Sequence, residues 1–140
     1  MFYSITRKSA LCALVFATCA APAFAQTSPT DPAVAALMSK ALADQPGKEV
    51  LMLTVTYPPG GFDPVHRHDA HGFIYVLDGS IVMGVKGGKE QTLLPGQTFY
   101  EGPQDLHTVG RNASKTRPAT FLVFLLKDKS RPAVIPVAQH

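Results

Sequence analysis

The feature that most constrains the fold is a succession of short apolar segments, separated by glycine- and proline-containing turns, over residues 48–126. Residues 50–57 and 120–126 are rich in residue types that favour strands. Asp78-Gly79 and Pro95-Gly96 are turn signals between shorter segments of the same character. Short strands at regular spacing are typical of antiparallel sandwiches and barrels. The sequence therefore predicts an all-β fold across this region.

The first 25 residues have the layout of a secretory signal peptide. Arg7 and Lys8 form a basic start, residues 10–20 form a nearly unbroken apolar run, and Ala23-Phe24-Ala25 is a small-residue cleavage site. The run is shorter than the roughly 20 apolar residues that a transmembrane helix needs. A retained N-terminal helix and lipidation at Cys19 are the alternatives. We expect cleavage after Ala25 and a periplasmic or secreted protein.

Cleavage changes the net charge and the cysteine content of the mature chain, and both bear on the function. Removing Arg7 and Lys8 from the 13 basic residues leaves 11 against 10 acidic residues, a formal charge of +1. This charge gives no support for a nucleic-acid partner, which requires a clustered basic face, and no membrane partner is expected after cleavage. Cys12 and Cys19 leave with the leader. Stability must therefore come from one hydrophobic core, in a single domain of about 115 residues.

Residues 26–47 precede the strand-rich region and are predicted to contain a helix over residues 31–43. Thr30 or Asp31 can cap this helix, its apolar residues recur at helical spacing, and Pro46-Gly47 ends it. The helix and a C-terminal arm would suit a homodimer. The predicted divisions are a leader at 1–25, the lead-in and helix at 26–47, a β domain at 48–128 and the arm at 129–140.

Three histidines carry most of the chemical information. His66 and His68 form a His-x-His pair whose side chains share one face of a strand, because strand side chains alternate. His107 can join them only if the chain folds back on itself. Three neutral imidazoles on one face can hold a divalent transition metal ion and leave positions open for water or substrate. An exposed polar strand face is the alternative explanation of the pair.

The surroundings of the histidine pair resemble the first motif of the cupins. That motif consists of a glycine, five residues, His-x-His, a glutamate and a closing glycine. Here Gly60, His66, His68 and Gly79 take those places. The glutamate, which usually supplies a fourth metal ligand in that family, falls at Gly72. A glycine has no side chain that can coordinate an ion.

The second cupin motif is matched more loosely. Gly96 and His107 fit it, whereas Gly102 and Gln104 stand where the family has Pro-x-Gly. The resemblance covers residues 50–126 and implies a small antiparallel jelly-roll barrel. It also implies that the two motifs lie on neighbouring strands, so that their histidines meet inside the barrel.

Two residues could replace the missing glutamate. His71 is a candidate fourth metal ligand, although strand alternation turns it away from His66 and His68 unless the chain bulges between them. Glu101 is a candidate to supply a further ligand, to orient a histidine, or to act as a catalytic general base. A solvated charge at the barrel rim is the alternative reading of Glu101.

The resemblance implies a protein that binds a metal ion and a small organic molecule. The expected ion is Zn, Mn, Fe, Ni or Cu, since imidazole suits all of these. One hypothesis is a metal-dependent enzyme, because the cupins include dioxygenases, isomerases, decarboxylases and sugar-modifying enzymes. The missing glutamate and the altered second motif favour a second hypothesis, a non-catalytic module that binds a small ligand or a metal. A structural barrel without metal is the third.

Overall fold

The computed structural model describes residues 28–137, which form strands and no helix. The predicted leader at residues 1–25 lies outside this range. Within it, no helix has the length and apolar character needed to cross a membrane. The strands are β1 (Ala33–Ala41), β2 (Lys48–Tyr57), β3 (His66–Arg67), β4 (Ala70–Asp78), β5 (Ile81–Val85), β6 (Gln91–Leu93), β7 (Thr98–Glu101), β8 (His107–Asn112), β9 (Ala119–Asp128) and β10 (Ile135–Pro136).

The strands form two five-stranded sheets that face each other. The first sheet has the order β1-β2-β9-β4-β7 and the second has the order β10-β3-β8-β5-β6. Neighbouring strands pair antiparallel throughout. Buried and more exposed residues alternate along β4 and β9, as expected for strands with one face towards a core. The prediction of an antiparallel all-β fold is confirmed.

The core lies between the inner faces of the two sheets, and most of its buried residues are apolar. The first sheet contributes alternate residues of β2, β4 and β9, and the second sheet contributes β5, where four consecutive residues are buried. Burial of apolar side chains is the main stabilising contribution in such a fold. The largest fully buried side chains are Tyr57, Val76, Ile81, Met83 and Leu125.

The predicted helix over residues 31–43 is wrong, since Ala33–Ala41 is strand β1 at the edge of the first sheet. Helical propensity is a weak preference, and here the backbone instead forms a long antiparallel ladder with β2. The ladder is irregular between Ala36 and Met38. A bulge of this kind changes side-chain alternation, so apolar residues three and four apart are compatible with a strand.

The predicted C-terminal arm returns to its own chain over its described part. Ile135 and Pro136 form β10, which pairs with Arg67 and His66 of β3. The carbonyl oxygen of Ala133 also lies 2.5 Å from Nδ1 of His68. This segment therefore closes the second sheet beside the histidine pair.

One partly buried ion pair makes the stability of the fold depend on pH. Lys127 is buried, and its Nζ donates a 2.7 Å hydrogen bond to Glu49, its partner across β2 and β9. This bond, with a second from Ser39, lowers the pKa of Glu49 below 4.5. A carboxylate with a lowered pKa in the folded state stabilises the fold at neutral pH, and this stabilisation is lost as the pH falls through that pKa.

We therefore expect Glu49→Gln to lower the melting temperature at neutral pH, and the difference from the unaltered protein to shrink at about pH 3. Thermal unfolding followed by circular dichroism at the two pH values measures this. Glu90→Gln is the matched control, because Glu90 pairs with Arg111 at an exposed site where an ion pair contributes little. An equal difference at both pH values for Glu49→Gln would contradict the expectation.

Candidate metal centre

The pairing of β3 with β8 brings the two histidine motifs together. His66 lies directly opposite His107 in this pairing, and His68 follows two residues later on the same face. Asp69, with a φ of 46°, then turns the chain towards β4 in the other sheet. The three side chains are buried, with 4% to 8% of their surface exposed. The prediction that these histidines meet inside the fold is confirmed.

The inner ring nitrogens of the three histidines converge on one point. Nε2 of His66 lies 3.1 Å from Nε2 of His68 and 3.3 Å from Nδ1 of His107. All three candidate ligand atoms lie within 4.8 Å of one another. Two nitrogens bound to the same ion at about 2.1 Å are roughly 3.0 to 3.4 Å apart for bond angles of about 90° to 109°. The two distances from His66 therefore match the spacing of ligands to one transition metal ion.

The outer ring nitrogens fix the tautomers of the three rings. Nδ1 of His66 lies 2.8 Å from the carbonyl oxygen of Pro64, and Nε2 of His107 lies 2.7 Å from that of Val109. Nδ1 of His68 faces the Ala133 carbonyl in the same way. A carbonyl oxygen only accepts hydrogen bonds, so each outer nitrogen carries the proton. In the neutral rings the inner nitrogens therefore present lone pairs, as metal-binding histidines do.

Glu101 completes the site from the opposite sheet. Its side chain is buried, with Oε1 at 3.2 Å from Nε2 of His68 and Oε2 at 3.4 Å from Nδ1 of His107. Burial raises the pKa of Glu101, but the hydrogen bond with His68 and the charges of the nearby imidazoles outweigh it, so the pKa is lowered. Glu101 is therefore an ionised, buried carboxylate and not a solvated charge at the rim.

The same carboxylate affects the two neighbouring histidines differently. Burial lowers the pKa of both rings, since it disfavours the charged form. At His107 burial prevails over the charge of Glu101, and the pKa is lowered. At His68 the hydrogen bond and charge of Glu101 outweigh burial, and the pKa is raised. Glu101 thus interacts most strongly with His68.

His71 does not join the other three histidines. Its side chain is exposed on the outer face of β4, where Nδ1 lies 2.8 Å from the hydroxyl oxygen of Tyr100. Alternation along β4 buries Ala70 and Gly72 and exposes His71 between them, so position 71 points outwards. The structure therefore does not bring the candidate fourth ligand His71 to the cluster, as strand alternation indicates.

Sequence reasoning missed a second polar pair beside the histidines. The hydroxyl of Tyr57 donates a hydrogen bond to the carboxylate of Asp63. Burial raises the pKa of Tyr57, and the negative charges of Asp63 and Glu101 raise it further, so the phenol stays protonated. Asp63 lies an odd number of residues before His66, which on a regular strand would place it on the other face. It sits instead in the loop before β3, which turns it towards the site.

A narrow cavity of about 120 Å³ opens onto the histidines. Its polar wall consists of Asp63, His66, His68 and His107, and the rest of the lining is apolar. A larger concavity of about 760 Å³ lies on the outer face of the first sheet, among Phe73, Tyr75 and Tyr100, and includes none of the three clustered histidines. The narrow cavity is the candidate site, because it combines enclosure with convergent polar groups, whereas the larger concavity is an open outer surface. Its apolar lining is Val34, Leu53, Val55, Pro64, Ile74, Met83, Phe121, Val123 and Val134.

Solved structures share this fold. An oxalate oxidase in complex with the substrate analogue glycolate is 27% identical, with a TM-score of 0.58 over 79% of this chain and 57% of that one. The DMSP lyase DddQ from Ruegeria pomeroyi is 24% identical, with a TM-score of 0.56 over 63% of this chain and 43% of the lyase. This chain thus spans less than two thirds of either protein.

A cupin 2 domain-containing protein from Halorhodospira halophila is 18% identical, with a TM-score of 0.59 over 81% of this chain and 75% of that one. At the identity of this protein or of the lyase, the likeness shows the fold alone. No curated protein matches the chain. The family model of the Cupin domain matches residues 53–125, slightly more than half of the 140 residues. This range contains all three clustered histidines and Glu101, and the chain therefore belongs to the cupin family.

Proposed function

We propose that this protein binds one divalent transition metal ion through His66, His68 and His107 and acts on a small organic molecule beside it. One observation carries the proposal: three inner ring nitrogens converge while each outer N–H is held by a backbone carbonyl. In the neutral rings, lone pairs at 3.1 to 3.3 Å repel each other unless a cation lies between them. Zn, Mn, Fe, Ni and Cu all suit an imidazole set.

The side chains around the cluster have separate tasks in this proposal. A bound ion would supply Lewis acidity, polarising an oxygen atom of the organic molecule. The carbonyls of Pro64, Val109 and Ala133 hold the rings in the binding orientation. Asp63, at the wall of the cavity, would accept a proton from the bound molecule, and the Tyr57 hydroxyl holds its carboxylate in place.

The lining of the cavity indicates the kind of molecule. Its polar groups lie at one end, and the remaining wall is aliphatic or aromatic. A cavity of about 120 Å³ admits only a few non-hydrogen atoms without opening. We infer a small molecule with one oxygen-bearing end and an apolar body. The oxalate oxidase of similar fold, solved with glycolate, supports a molecule of this size.

Metal content and turnover test this proposal together. The protein should take up one equivalent of Zn, Mn, Fe, Ni or Cu per chain, measured by elemental analysis after dialysis. Turnover of a small oxygenated substrate should then rise in proportion to metal occupancy. Saturable binding of small molecules without turnover would instead support a non-catalytic binding module. Absence of bound metal after exposure to every one of these ions would overturn the proposal.

We further propose that the protein is exported and cleaved after Ala25. The basic start, apolar run and small-residue site of residues 1–25 support this. Expression in a bacterial host followed by cell fractionation and intact-mass measurement tests it. The expected species begins at Gln26 and leaves the cytoplasm. An uncleaved chain in the cytoplasmic fraction would contradict export.

We also propose that the protein is a homodimer joined along β1. Among the described strands only β2 pairs with β1, and Val34, Leu37 and Met38 are exposed there. A long apolar edge strand is a pairing site, and a second copy offers the same edge in antiparallel orientation. Analytical ultracentrifugation should show a dimer that Met38→Glu shifts towards monomer. A monomer at all concentrations would contradict this.

A further inference from the structure

Gly72 has no side chain, and the carboxylate of Glu101 on the neighbouring strand β7 lies in the space left beside it. Gly72 of β4 pairs directly with Glu101 of β7, and both residues face the interior. Side chains that lie directly opposite on antiparallel strands begin about 4.5 to 5.5 Å apart. A carboxylate reaching inwards from position 101 can therefore enter the volume that a side chain at position 72 would occupy.

The geometry around Gly72 shows that this volume is already filled. A Cβ atom added to Gly72 would lie 2.8 Å from Cγ of Glu101 and 3.0 Å from its Oε1. A side chain at position 72 would therefore require that of Glu101 to move. The glycine at position 72 and the glutamate at position 101 are complementary, because each makes room for the other.

The atoms that Glu101 faces have no proton to offer when the rings are neutral. The outer nitrogens of His68 and His107 use their protons on backbone carbonyls. In the neutral rings their inner nitrogens, at 3.2 and 3.4 Å from the carboxylate oxygens, present lone pairs towards further lone pairs, and the hydrogen bond between His68 and Glu101 forms only when His68 is protonated. A cation shared by the nitrogens and the carboxylate removes this repulsion. Glu101 would also reduce the buried charge of a divalent ion held by three neutral rings from +2 to +1.

We propose that Glu101 is the fourth protein ligand of the metal ion, supplied by β7 instead of β4. The inference rests on the proposed three-histidine site and adds a residue to it. The ligand set is then the imidazoles of His66 and His107 from the second sheet, that of His68 just after β3, and one carboxylate of the first sheet. The ion would join the two sheets as well as hold the small molecule.

The test uses Co²⁺ as a spectroscopic probe and Zn²⁺ for affinity. Glu101→Gln, which keeps the size of the side chain, should weaken Zn²⁺ binding by at least about 10- to 100-fold, the range seen when even a supporting group is lost. It should also change the d–d absorption of bound Co²⁺, because an amide replaces a carboxylate oxygen in the ligand set. Circular dichroism of the metal-free variant checks that the fold is kept.

Moving the glutamate from β7 to β4 provides the matched comparison. Gly72→Glu alone should bind metal poorly and lower the melting temperature, because the new side chain meets Glu101. Combined with Glu101→Gly, the same substitution should recover Zn²⁺ affinity to within about tenfold, since the carboxylate then enters from β4. Recovery in the double variant supports a direct ligand, as does a changed Co²⁺ spectrum in Glu101→Gln.

The outcomes separate the two proposals. Unchanged Zn²⁺ affinity and an unchanged Co²⁺ spectrum in Glu101→Gln, with binding still dependent on His66, would overturn the role of Glu101 and leave the three-histidine site standing. Weakened affinity with an unchanged Co²⁺ spectrum would also overturn it, because Glu101 would then only orient His68. Absence of Zn²⁺ and Co²⁺ binding in the unaltered protein would overturn both proposals.

Discussion

Replacing His66 with alanine is expected to weaken Zn²⁺ binding by more than about 100-fold. His66 is the central histidine of the cluster, because its Nε2 lies within 3.3 Å of the inner nitrogens of both His68 and His107. Its removal leaves two imidazoles, and the shared point loses the ring that both approach. The loss should exceed that of a residue that only positions a ligand, which typically amounts to about 10- to 100-fold.

His71→Ala is the matched control for this substitution. It removes the same side chain five positions along the chain, where the ring lies on the outer face and contacts Tyr100. Competition against a chromophoric chelator measures the Zn²⁺ dissociation constant of each variant. We expect His71→Ala to bind Zn²⁺ as the unaltered protein does. Equal affinities for His66→Ala and the unaltered protein would place the metal elsewhere.

The second large effect concerns the core behind the site. Leu125→Ala is expected to lower the free energy of unfolding by about 2–5 kcal/mol. Leu125 is fully buried and lies opposite Gly72 in the pairing of β4 with β9. Its truncation removes buried apolar surface and leaves a cavity that close-packed neighbours cannot refill.

Leu126→Ala tests whether burial is the cause. Leu126 is the next residue of the same strand, but it is only partly buried and lies on the outer face with Val50, Phe73 and Phe124. We expect it to cost about 1 kcal/mol. Urea denaturation of the two variants, with metal removed from both, gives the comparison. A larger loss for Leu126→Ala than for Leu125→Ala would contradict the assignment of the inner face.

The sequence allowed the all-β fold to be predicted because strand alternation and turn residues are local signals. Residues 50–57 and the Asp78-Gly79 turn lie in or between strands much as their composition indicates. The helix predicted for the segment before them is wrong for a physical reason. Residues 33–41 are rich in alanine and favour a helix by propensity. In the structure they pair with β2, and the ladder is irregular between Ala36 and Met38. Strand pairing of this kind depends on contacts with β2, which the sequence of residues 33–41 alone does not indicate.

The site shows the same division between local and long-range information. Period-two alternation predicts that His66 and His68 share one face. The same rule predicts that His71 points away from them. The position of Glu101 opposite Gly72 could not be read from the sequence, because it depends on the register of β4 against β7. The turn of Asp63 towards the cavity depends on loop geometry and was equally hidden.

The most direct test of the metal site is a crystal of the Zn²⁺-loaded protein measured above the zinc absorption edge. We predict one anomalous peak in the cavity, at about 2.0–2.1 Å from Nε2 of His66, Nε2 of His68 and Nδ1 of His107. A peak bound to other residues, or no peak between these three nitrogens, would contradict the account.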